Sequence, residues 1–437
     1  MKNYRFLMPI VMIALIVASW FLLVQEVSKN DELYNTCLAE ARDWAKDGIT
    51  KYAIEKYEEA LDLRSSPELY EEVALYYKAQ DRKLDYLSWC ELYIEEYPKE
   101  VGAYELLLDA YIQDQDYEDC YDLLEMAQKR NLKSETLDRM ADEIAYEFKL
   151  ELGSYDNVGI YSNNYCAVNS DGRWGFVDRY GKLRVSTRYV QTGAYTQSAI
   201  VSVVNSEGEA YFIDKSGAKV KVSSEKYESF GLVSGGKIAA KKTDGKYIYL
   251  DESCQALFGN YDYASTFNGG VAAVKTGDRW QLIDDQGNAI TSQNYVDVIL
   301  DEKQIAQRNG RIFAAKSEGQ YIMLDNTGKQ VGSLTFEDAK LFNGSAPAAV
   351  KIGGKWCFVD VDGKLISDKK YDDARSFANG MAAVCVDGKW GFVDESETIV
   401  IELQFDGAKD FNEKGSCFVQ VNEKWKLLKL YRLNREG

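Results

Sequence analysis

Apolar residues between Asp31 and Phe148 recur at the three- to four-residue spacing of an amphipathic helix. Turn residues break this pattern into segments that predict helices over 33–46, 49–63, 67–78, 84–97, 101–113, 117–129 and 134–148. Two successive segments together have the length of one repeat of an α-solenoid built from helix pairs. The pattern therefore predicts a helical repeat domain over residues 31–148.

After this stretch the pattern changes to short apolar runs of the kind that form β-strands, and these runs repeat eight times. Each unit contains one aromatic anchor, and the intervals between successive anchors are similar along the whole stretch. A recurring interval of this kind indicates an array of supersecondary units. The anchors are Trp174, Tyr211, Tyr247, Trp280, Tyr321, Trp356, Trp390 and Trp425.

An aspartate lies four residues after each of the first seven anchors, and in five of these units a glycine lies three residues beyond it. Aspartate at the first position and glycine at the fourth are typical of a type I turn, because the carboxylate accepts backbone N–H groups and glycine adopts the exit geometry. Each unit is therefore predicted to contain a hairpin. The aspartates are Asp178, Asp214, Asp251, Asp284, Asp325, Asp360 and Asp394.

A second aromatic precedes each anchor within the same unit, and in six units a third aromatic follows the second by six positions. This regular recurrence predicts equivalent core positions in neighbouring units. The second set is Tyr155, Tyr189, Tyr227, Tyr261, Tyr295, Phe336, Tyr371 and Phe405, and the third set includes Phe267, Phe342, Phe377 and Phe411.

Eight such units either close into a ring or stack as an open β-solenoid. The last unit ends shortly after Trp425 and lacks the strand that follows the turn, whereas residues 148–152 (FKLEL) precede Tyr155 at the spacing of that strand. An N-terminal strand that completed the last sheet would remove its exposed edge. We therefore expect residues 149–437 to form an all-β, eight-unit β-propeller, with an open β-solenoid as the alternative, in which Phe148 simply ends the last helix.

The stretch over 6–24 contains no charged residue and is mostly apolar. A helix of this length rises about 28 Å, close to the roughly 30 Å hydrocarbon core of a bilayer. Lys2 and Arg5 precede the stretch, so the positive-inside rule predicts that residues 1–5 stay cytoplasmic and that both repeat domains lie outside the cytoplasm. No small-x-small cleavage site follows it, which favours an uncleaved single-pass transmembrane helix in the cell membrane over a cleaved signal peptide.

The composition removes several kinds of chemistry. The chain has no histidine, which excludes a Ser-His-Asp triad, a Cys-His pair and a His-ligated zinc. Its formal net charge of −18 disfavours nucleic acid as a partner. The eight cysteines form no CxxC and no metal-spaced cluster, and we interpret them as small buried hydrophobic residues.

The repeated aspartates are the only candidates for paired carboxylates or a cation site. Because they occur once per unit at a turn, they would lie around a ring and far from one another. Asp360, Asp362 and Gly363 resemble a fragment of a calcium loop, but no acidic residue stands at the twelfth position, which excludes an EF-hand. We therefore assign no catalytic, cofactor-binding or metal-ligating residue and expect no cofactor.

Two resemblances follow from these motifs. Ala41, Trp44, Gly48, Tyr52, Tyr57 and Ala60, with Pro67 closing the segment, resemble a tetratricopeptide repeat, and the later copies lack the central glycine. In the second domain, DGRWGFVDRYG from Asp171, GKWCFVDVDG from Gly354 and DGKWGFVD from Asp387 resemble the WG repeat of bacterial proteins. Units two, three and five carry tyrosine in place of tryptophan. The WG resemblance implies no catalytic site.

Two classes of function remain open at this point. The first is a membrane-anchored, non-catalytic scaffold or binding protein of the bacterial cell envelope, whose repeats bind a protein, peptide or glycan. The second is an extracytoplasmic hydrolase that uses carboxylates at the mouth of a propeller. We expect the first. We also expect Tyr76, Tyr77, Tyr93, Tyr97, Tyr104 and Tyr111 to pack within the helical array rather than line a peptide-binding groove.

Overall fold

The computed structural model describes residues 4–292 and 294–432, and within residues 4–28 it describes the side chains of Met12, Val17, Ser19 and Trp20 only. The chain divides into two compact units, Met1–Ala145 and Tyr146–Gly437. The described part of the first unit is helical, and that of the second is built mainly from β-strands.

The first unit contains helices at nearly all the predicted positions. Helix α1 continues upstream as far as Tyr4, without the predicted break before residue 33, and α7 ends at Glu143 rather than at residue 148. Capping explains two of the starts, because the Ser66 and Ser134 hydroxyls accept N–H groups of the first turns of α3 and α7. The helices are α1 Tyr4–Lys46, α2 Thr50–Leu63, α3 Pro67–Ala79, α4 Lys83–Glu96, α5 Val101–Gln113, α6 Tyr117–Lys129 and α7 Glu135–Glu143.

The tyrosines of the helical unit serve as packing residues, as predicted. Tyr77, Tyr93 and Tyr104 are buried in the core, and the other three are partly buried against it. Of the tetratricopeptide-like positions, Ala41, Tyr57 and Ala60 are buried, whereas Trp44 and Tyr52 stay partly exposed and contact each other with ring centroids 5.5 Å apart. Small residues thus lie where helices meet, but this aromatic pair lies at the surface.

Among the residues that the structure describes, no helix is both long and apolar enough to cross a membrane. Most side chains of the predicted anchor, residues 6–24, lie outside the described part. The anchor therefore stays a prediction.

The described part of the second unit contains eight antiparallel sheets, which we number as blades 1 to 8. In the first four blades each inner strand hydrogen bonds to the next strand in sequence. Blade 1 contains β2 Asn157–Ser162, β3 Tyr165–Ser170, β4 Arg173–Asp178 and β5 Leu183–Tyr189; blade 2 contains β6 Gln191–Thr192, β7 Val201–Val204, β8 Ala210–Ile213 and β9 Lys219–Lys221; blade 3 contains β10 Tyr227–Phe230, β11 Lys237–Lys242, β12 Tyr247–Asp251 and β13 Ala256–Tyr261; blade 4 contains β14 Tyr263–Ala264, β15 Ala272–Thr276 and β16 Arg279–Ile283.

The later blades repeat this order with one exception. In blade 5 an additional short strand, β18, pairs with β19 beside the inner strand. Blade 5 contains β17 Asp297–Val298, β18 Gln307–Arg308, β19 Arg311–Ser317 and β20 Gln320–Leu324; blade 6 contains β21 Asp338–Ala339, β22 Ala348–Ile352 and β23 Lys355–Val359; blade 7 contains β24 Asp373–Ala374, β25 Met381–Val386, β26 Lys389–Asp394 and β27 Ile399–Phe405; blade 8 contains β28 Gly407–Ala408, β29 Ser416–Val421 and β30 Lys424–Leu430.

The predicted ring closure is confirmed. Strand β1, Phe148–Tyr155, pairs with β30 and becomes the outermost strand of blade 8, with Phe148 opposite Leu430 and Tyr155 opposite Trp425. The eight sheets thus form a closed propeller, and the open solenoid is wrong. Phe148 begins this strand instead of ending a helix, because pairing with β30 satisfies its backbone groups and its ring packs against Phe405.

The repeated aromatics lie at equivalent core positions, as predicted. In four units the second aromatic ends the outermost strand of the preceding blade, where it pairs with that blade's anchor, as Phe405 does with Trp390. In three more units it forms an isolated bridge to that anchor, whereas Tyr227 begins the inner strand of blade 3. The third aromatic is buried against the middle strands; Phe377 contacts Phe358 and Phe411 contacts Phe392, each at 4.7 Å between ring centroids. All eight cysteines are buried and free, which confirms their interpretation as small hydrophobic residues.

The glycine after the anchor tryptophan is required by a close approach of two strands. In blades 1 and 7 the fourth strand bulges over this glycine. A Cβ on Gly391 would lie 2.4 Å from the carbonyl oxygen of Ile401, and one on Gly175 would lie 2.4 Å from that of Val185. Blade 3 has Ile248 here, and the space comes instead from Gly259 on the partner strand, whose φ is +117°.

We expect Gly391→Ala to destabilise the propeller by about 1–3 kcal/mol, because the added methyl group overlaps backbone atoms that cannot rotate away. Gly153→Ala is the matched control, since a Cβ there meets no heavy atom within 4 Å. Denaturant unfolding followed by tryptophan fluorescence measures both. Equal stability of the two variants would contradict this explanation of the WG glycine.

Charged residues connect neighbouring blades in a repeated arrangement that we call the inter-blade clasp. One carboxylate oxygen of Asp406 accepts the Asn422 N–H of its own blade at 2.9 Å, and the other pairs with Lys389 of blade 7 at 2.8 Å. Three further clasps join Lys246 to Asp262, Lys355 to Asp372 and Lys424 to Asp156. The last of these joins blade 8 to blade 1 across the point of closure.

The clasps predict acid sensitivity. The Lys424 ammonium and the Asp171 N–H lower the pKa of Asp156 below its ordinary value. Its contribution to stability is therefore complete above the unfolded-state pKa of about 4 and is lost as the pH falls through the lower folded-state value. We expect Asp156→Asn to lower the melting temperature at pH 7, and this difference from the wild type should shrink as the pH falls below about 4.

Asp278→Asn is the control for this measurement, because Asp278 is exposed at a hairpin of blade 4. It removes the same charge from the chain outside a clasp. A pH-independent effect of Asp156→Asn, or an equal effect of Asp278→Asn, would show that the clasp does not stabilise the closure.

Candidate functional site

The inner strands line the central channel, and one repeated position, in or directly after each inner strand, differs in charge between the blades. In seven of the eight blades the structure gives this residue a backbone N–H bond to the second strand. Blades 6 to 8 carry a cation at this position, whereas blades 1 to 4 carry glycine or serine and blade 5 carries isoleucine. In chain order the residues are Gly159, Gly193, Gly231, Ser265, Ile299, Lys340, Arg375 and Lys409.

Blade 5 departs from the repeat by an insertion into this channel. The turn residue Asn309 lies ten residues after Ile299, whereas the equivalent turn residue of blade 7, Asn379, lies four residues after Arg375. The additional residues form a tight turn in which the Asp301 carboxylate accepts the N–H groups of Lys303 and Ile305, at 2.8 and 2.9 Å. We call residues 300–306 the plug.

The plug makes an ion-pair network with blades 7 and 8. Glu302 accepts hydrogen bonds from Arg375 at 3.1 Å and from Lys409 at 3.0 Å. Arg375 also donates to both carboxylate oxygens of Asp410, at 2.6 and 3.2 Å. Burial disfavours the charge of Arg375, but Asp410 and Glu302 outweigh burial and raise its pKa. Arg375 therefore stays charged near neutral pH, and the network ties blade 5 to blades 7 and 8.

Blade 4 holds the other side of the plug through backbone groups. The Thr266 N–H donates to the Gln304 carbonyl at 2.7 Å, and its hydroxyl donates to the Lys303 carbonyl at 3.1 Å. Tyr263 donates from its hydroxyl to the Gln304 side chain. The plug is thus attached to blades 4, 7 and 8.

The plug separates the channel into cavities. The larger, of about 1040 Å³, is lined by blades 5 to 8, by Trp280 of blade 4 and by residues 160–164 of blade 1. A second, of about 270 Å³, lies against blades 2 to 4. Glu302 and Lys303 line both. The volume of the larger cavity lies just above the upper end of the usual size range of small-molecule sites.

The seven repeated aspartates lie elsewhere and do what the turn motif predicts. Asp394 is representative, since its carboxylate accepts the N–H groups of Ser396 and Thr398 at 2.9 and 2.8 Å. Hydrogen bonds from their own turns lower the pKa values of Asp214, Asp284 and Asp325. The remaining three make the same pair of backbone hydrogen bonds. The turn prediction is confirmed at all seven positions.

Three of the six carboxylates that line the larger cavity make ion pairs, and the repeat pattern did not single them out. Asp301 is paired with Arg308 at 2.5 Å, and Glu302 and Asp410 share Arg375. Each therefore has a cationic partner. In the described part of the chain, no group of three or more carboxylate or cysteine residues could hold a metal ion.

The sequence contained a signal for this site that the repeat analysis did not use. The interval from Trp280 to Tyr321 is the longest between neighbouring anchors. The additional residues of this interval form the plug. Its direction into the channel depends on Arg375 and Lys409, which no motif marks.

Comparison with known proteins supports the repeat assignment. The family model described as WG containing repeat matches residues 259–280, 358–390 and 390–425. A search of curated proteins found no match. Among solved structures, BamB from Moraxella catarrhalis is similar, with 13% identity over 64% of this chain and 100% of that chain and a TM-score of 0.42. KlHsv2 with loop 6CD replaced by a Gly-Ser linker shows 10% identity over 64% and 98%, with a TM-score of 0.35. Similarity this low says nothing of what this chain binds.

The network around Arg375 predicts a ranking of stabilities. We expect Asp410→Asn to destabilise the propeller by about 3 kcal/mol, because it leaves a largely buried guanidinium without its bidentate partner. Glu302→Gln should cost less, since 37% of the Glu302 side chain is exposed and Arg375 keeps Asp410. Glu413→Gln is the control, as Glu413 is an exposed residue of the same cavity. Denaturant unfolding measures all three, and equal values for Glu302→Gln and Glu413→Gln would mean that the ion pairs of Glu302 add no stability.

Proposed function

We propose that this chain, a WG-repeat protein, is a membrane-anchored, non-catalytic binding protein of the bacterial cell envelope. Its anchor is the apolar run over residues 6–24, and its two repeat units lie outside the cytoplasm. The helical unit and the propeller present surfaces to a protein or peptide partner.

The observation that carries this proposal is that the repeated aspartates are hydrogen bonded or ion paired within the fold. Each turn aspartate is hydrogen bonded to backbone N–H groups of its own turn, as Asp325 is to Thr327 and Lys329. Each clasp aspartate is occupied by a lysine and a backbone N–H. Carboxylates held in this way support a rigid platform better than a reacting pair, which would need one carboxyl group free to exchange protons.

The available surfaces agree with a role in binding. In the helical unit, Tyr52, Leu75 and Leu84 are exposed, with 78% of Leu84 accessible. On the propeller, the turns that follow the inner strands surround one end of the larger cavity, where Asn343 and Asn379 are exposed. Because rigid surfaces lose little conformational entropy on association, such sites suit partner binding.

The proposal is tested by photo-crosslinking in cells with the full chain. A photoreactive residue is placed at Leu84 or at Asn379, and the membrane fraction is analysed for adducts. We expect a discrete adduct with one polypeptide at one of these positions or both, recovered with the membranes, because the partner contacts a defined surface of an anchored protein.

The matched control carries the same residue at Leu183, which is 48% exposed on the outermost strand of blade 1. Identical adducts at all three positions would indicate non-specific contact and would overturn the proposal. Recovery of the full chain only in the soluble fraction would remove the anchor from it, and adducts with carbohydrate alone would replace the protein partner by a glycan.

A further inference from the structure

The larger channel cavity has a composition that the proposed partner binding does not explain. Its volume of about 1040 Å³ far exceeds that of a single inorganic ion. Ile160, Ile299 and Leu300 line it and are only partly buried, so apolar side-chain surface faces its interior. Cavities that combine apolar walls with a few placed polar groups are typical small-molecule sites.

The cations that line this cavity have partners, with one exception. Arg308 and Arg375 make the ion pairs given above, and the Lys340 ammonium lies 4.9 Å from the centroid of the Trp356 ring. In the described part of the chain, the Lys303 ammonium has no such partner, although its backbone N–H is fixed by Asp301. One positive charge in the lining is therefore available to a ligand.

The position of Lys303 makes its unpaired charge unfavourable without a ligand. It lies on the plug, lines both cavities and is largely withdrawn from solvent. Burial lowers its pKa and the nearby Arg308 adds to this effect, whereas the carboxylates of Asp301, Asp410 and Glu302 oppose it without forming an ion pair with the ammonium. A buried ammonium is stabilised mainly by an anion in direct contact. With a net charge of −18, the field of the whole chain repels anions, so attraction must come from a local contact.

We infer that the larger channel cavity binds a small organic anion, whose acidic group pairs with Lys303 and whose apolar body lies against Ile160, Ile299 and Leu300. The plug is held in place by the ion pairs among Glu302, Arg375 and Asp410. These contacts also fix the backbone that carries Lys303. This inference does not rest on the proposed protein partner, because it concerns the interior of the propeller rather than its surface.

The test is calorimetric titration of the full chain with hexanoate, hexanamide and inorganic phosphate at constant ionic strength. We expect hexanoate to bind most tightly, because only hexanoate supplies both the charge and the apolar body. Lys303→Met should weaken hexanoate binding about tenfold or more, which is the loss expected for one charge-assisted hydrogen bond. Lys303→Arg, which keeps the positive charge, should retain most of the binding.

Lys340→Met is the matched control, since it removes a lysine of the same cavity whose ammonium lies over an aromatic ring. If Lys340→Met and Lys303→Met weaken hexanoate binding equally, the binding depends on the summed charge of the cavity lining rather than on a contact with Lys303. That result would overturn the assignment. Equal binding of hexanamide would overturn the charge contact, and equal binding of phosphate would overturn the apolar part. Absence of binding to the wild-type chain would overturn the inference as a whole, whether or not a protein partner is found.

Discussion

The pairing of β1 with β30 is the constraint on which the propeller depends. Eight sheets built from chain-consecutive strands would leave blade 8 with an open edge, because the described residues after Phe405 supply only three strands. A strand from the start of the domain fills this edge, and the Asp156–Lys424 clasp lies beside the same junction. The first and last parts of the domain must therefore meet before the ring is complete, which makes closure a non-local step.

The repeat motif follows from backbone geometry rather than from ligand chemistry. Where glycine follows tryptophan, in blades 1 and 7, the fourth strand has seven residues and bulges over it. Where cysteine stands there, after Trp356, the fourth segment of blade 6 keeps only isolated bridges. The motif glycine thus occurs where the third and fourth strands of a blade approach each other closely. Where the glycine is replaced, the outer strands change but the ring stays closed.

How far the fold could be predicted depended on how local its determinants are. The helices, the turn aspartates and the closing strand are marked by short patterns, and they were found where those patterns placed them. The end of α7 was missed because pairing with β30 takes Phe148 into the sheet. The plug was missed because its conformation depends on Arg375 and Lys409, which stand far downstream of Glu302 in the chain. The long interval between Trp280 and Tyr321 reveals an insertion but not its direction.

Symmetry explains why the candidate site lies at the plug. The turn aspartates and the clasp aspartates recur from blade to blade and are already hydrogen bonded within the fold. They are therefore not available to a ligand. Only an element outside the repeat can place a side chain across the channel axis, and the plug does this with Glu302 and Lys303. The carboxylate of Glu302 is paired with two cations, whereas the adjacent Lys303 ammonium makes no ion pair with the described residues, although three carboxylates lie near it. A rigid support that carries one unsatisfied charge into a cavity is the arrangement that preorganised binding sites require.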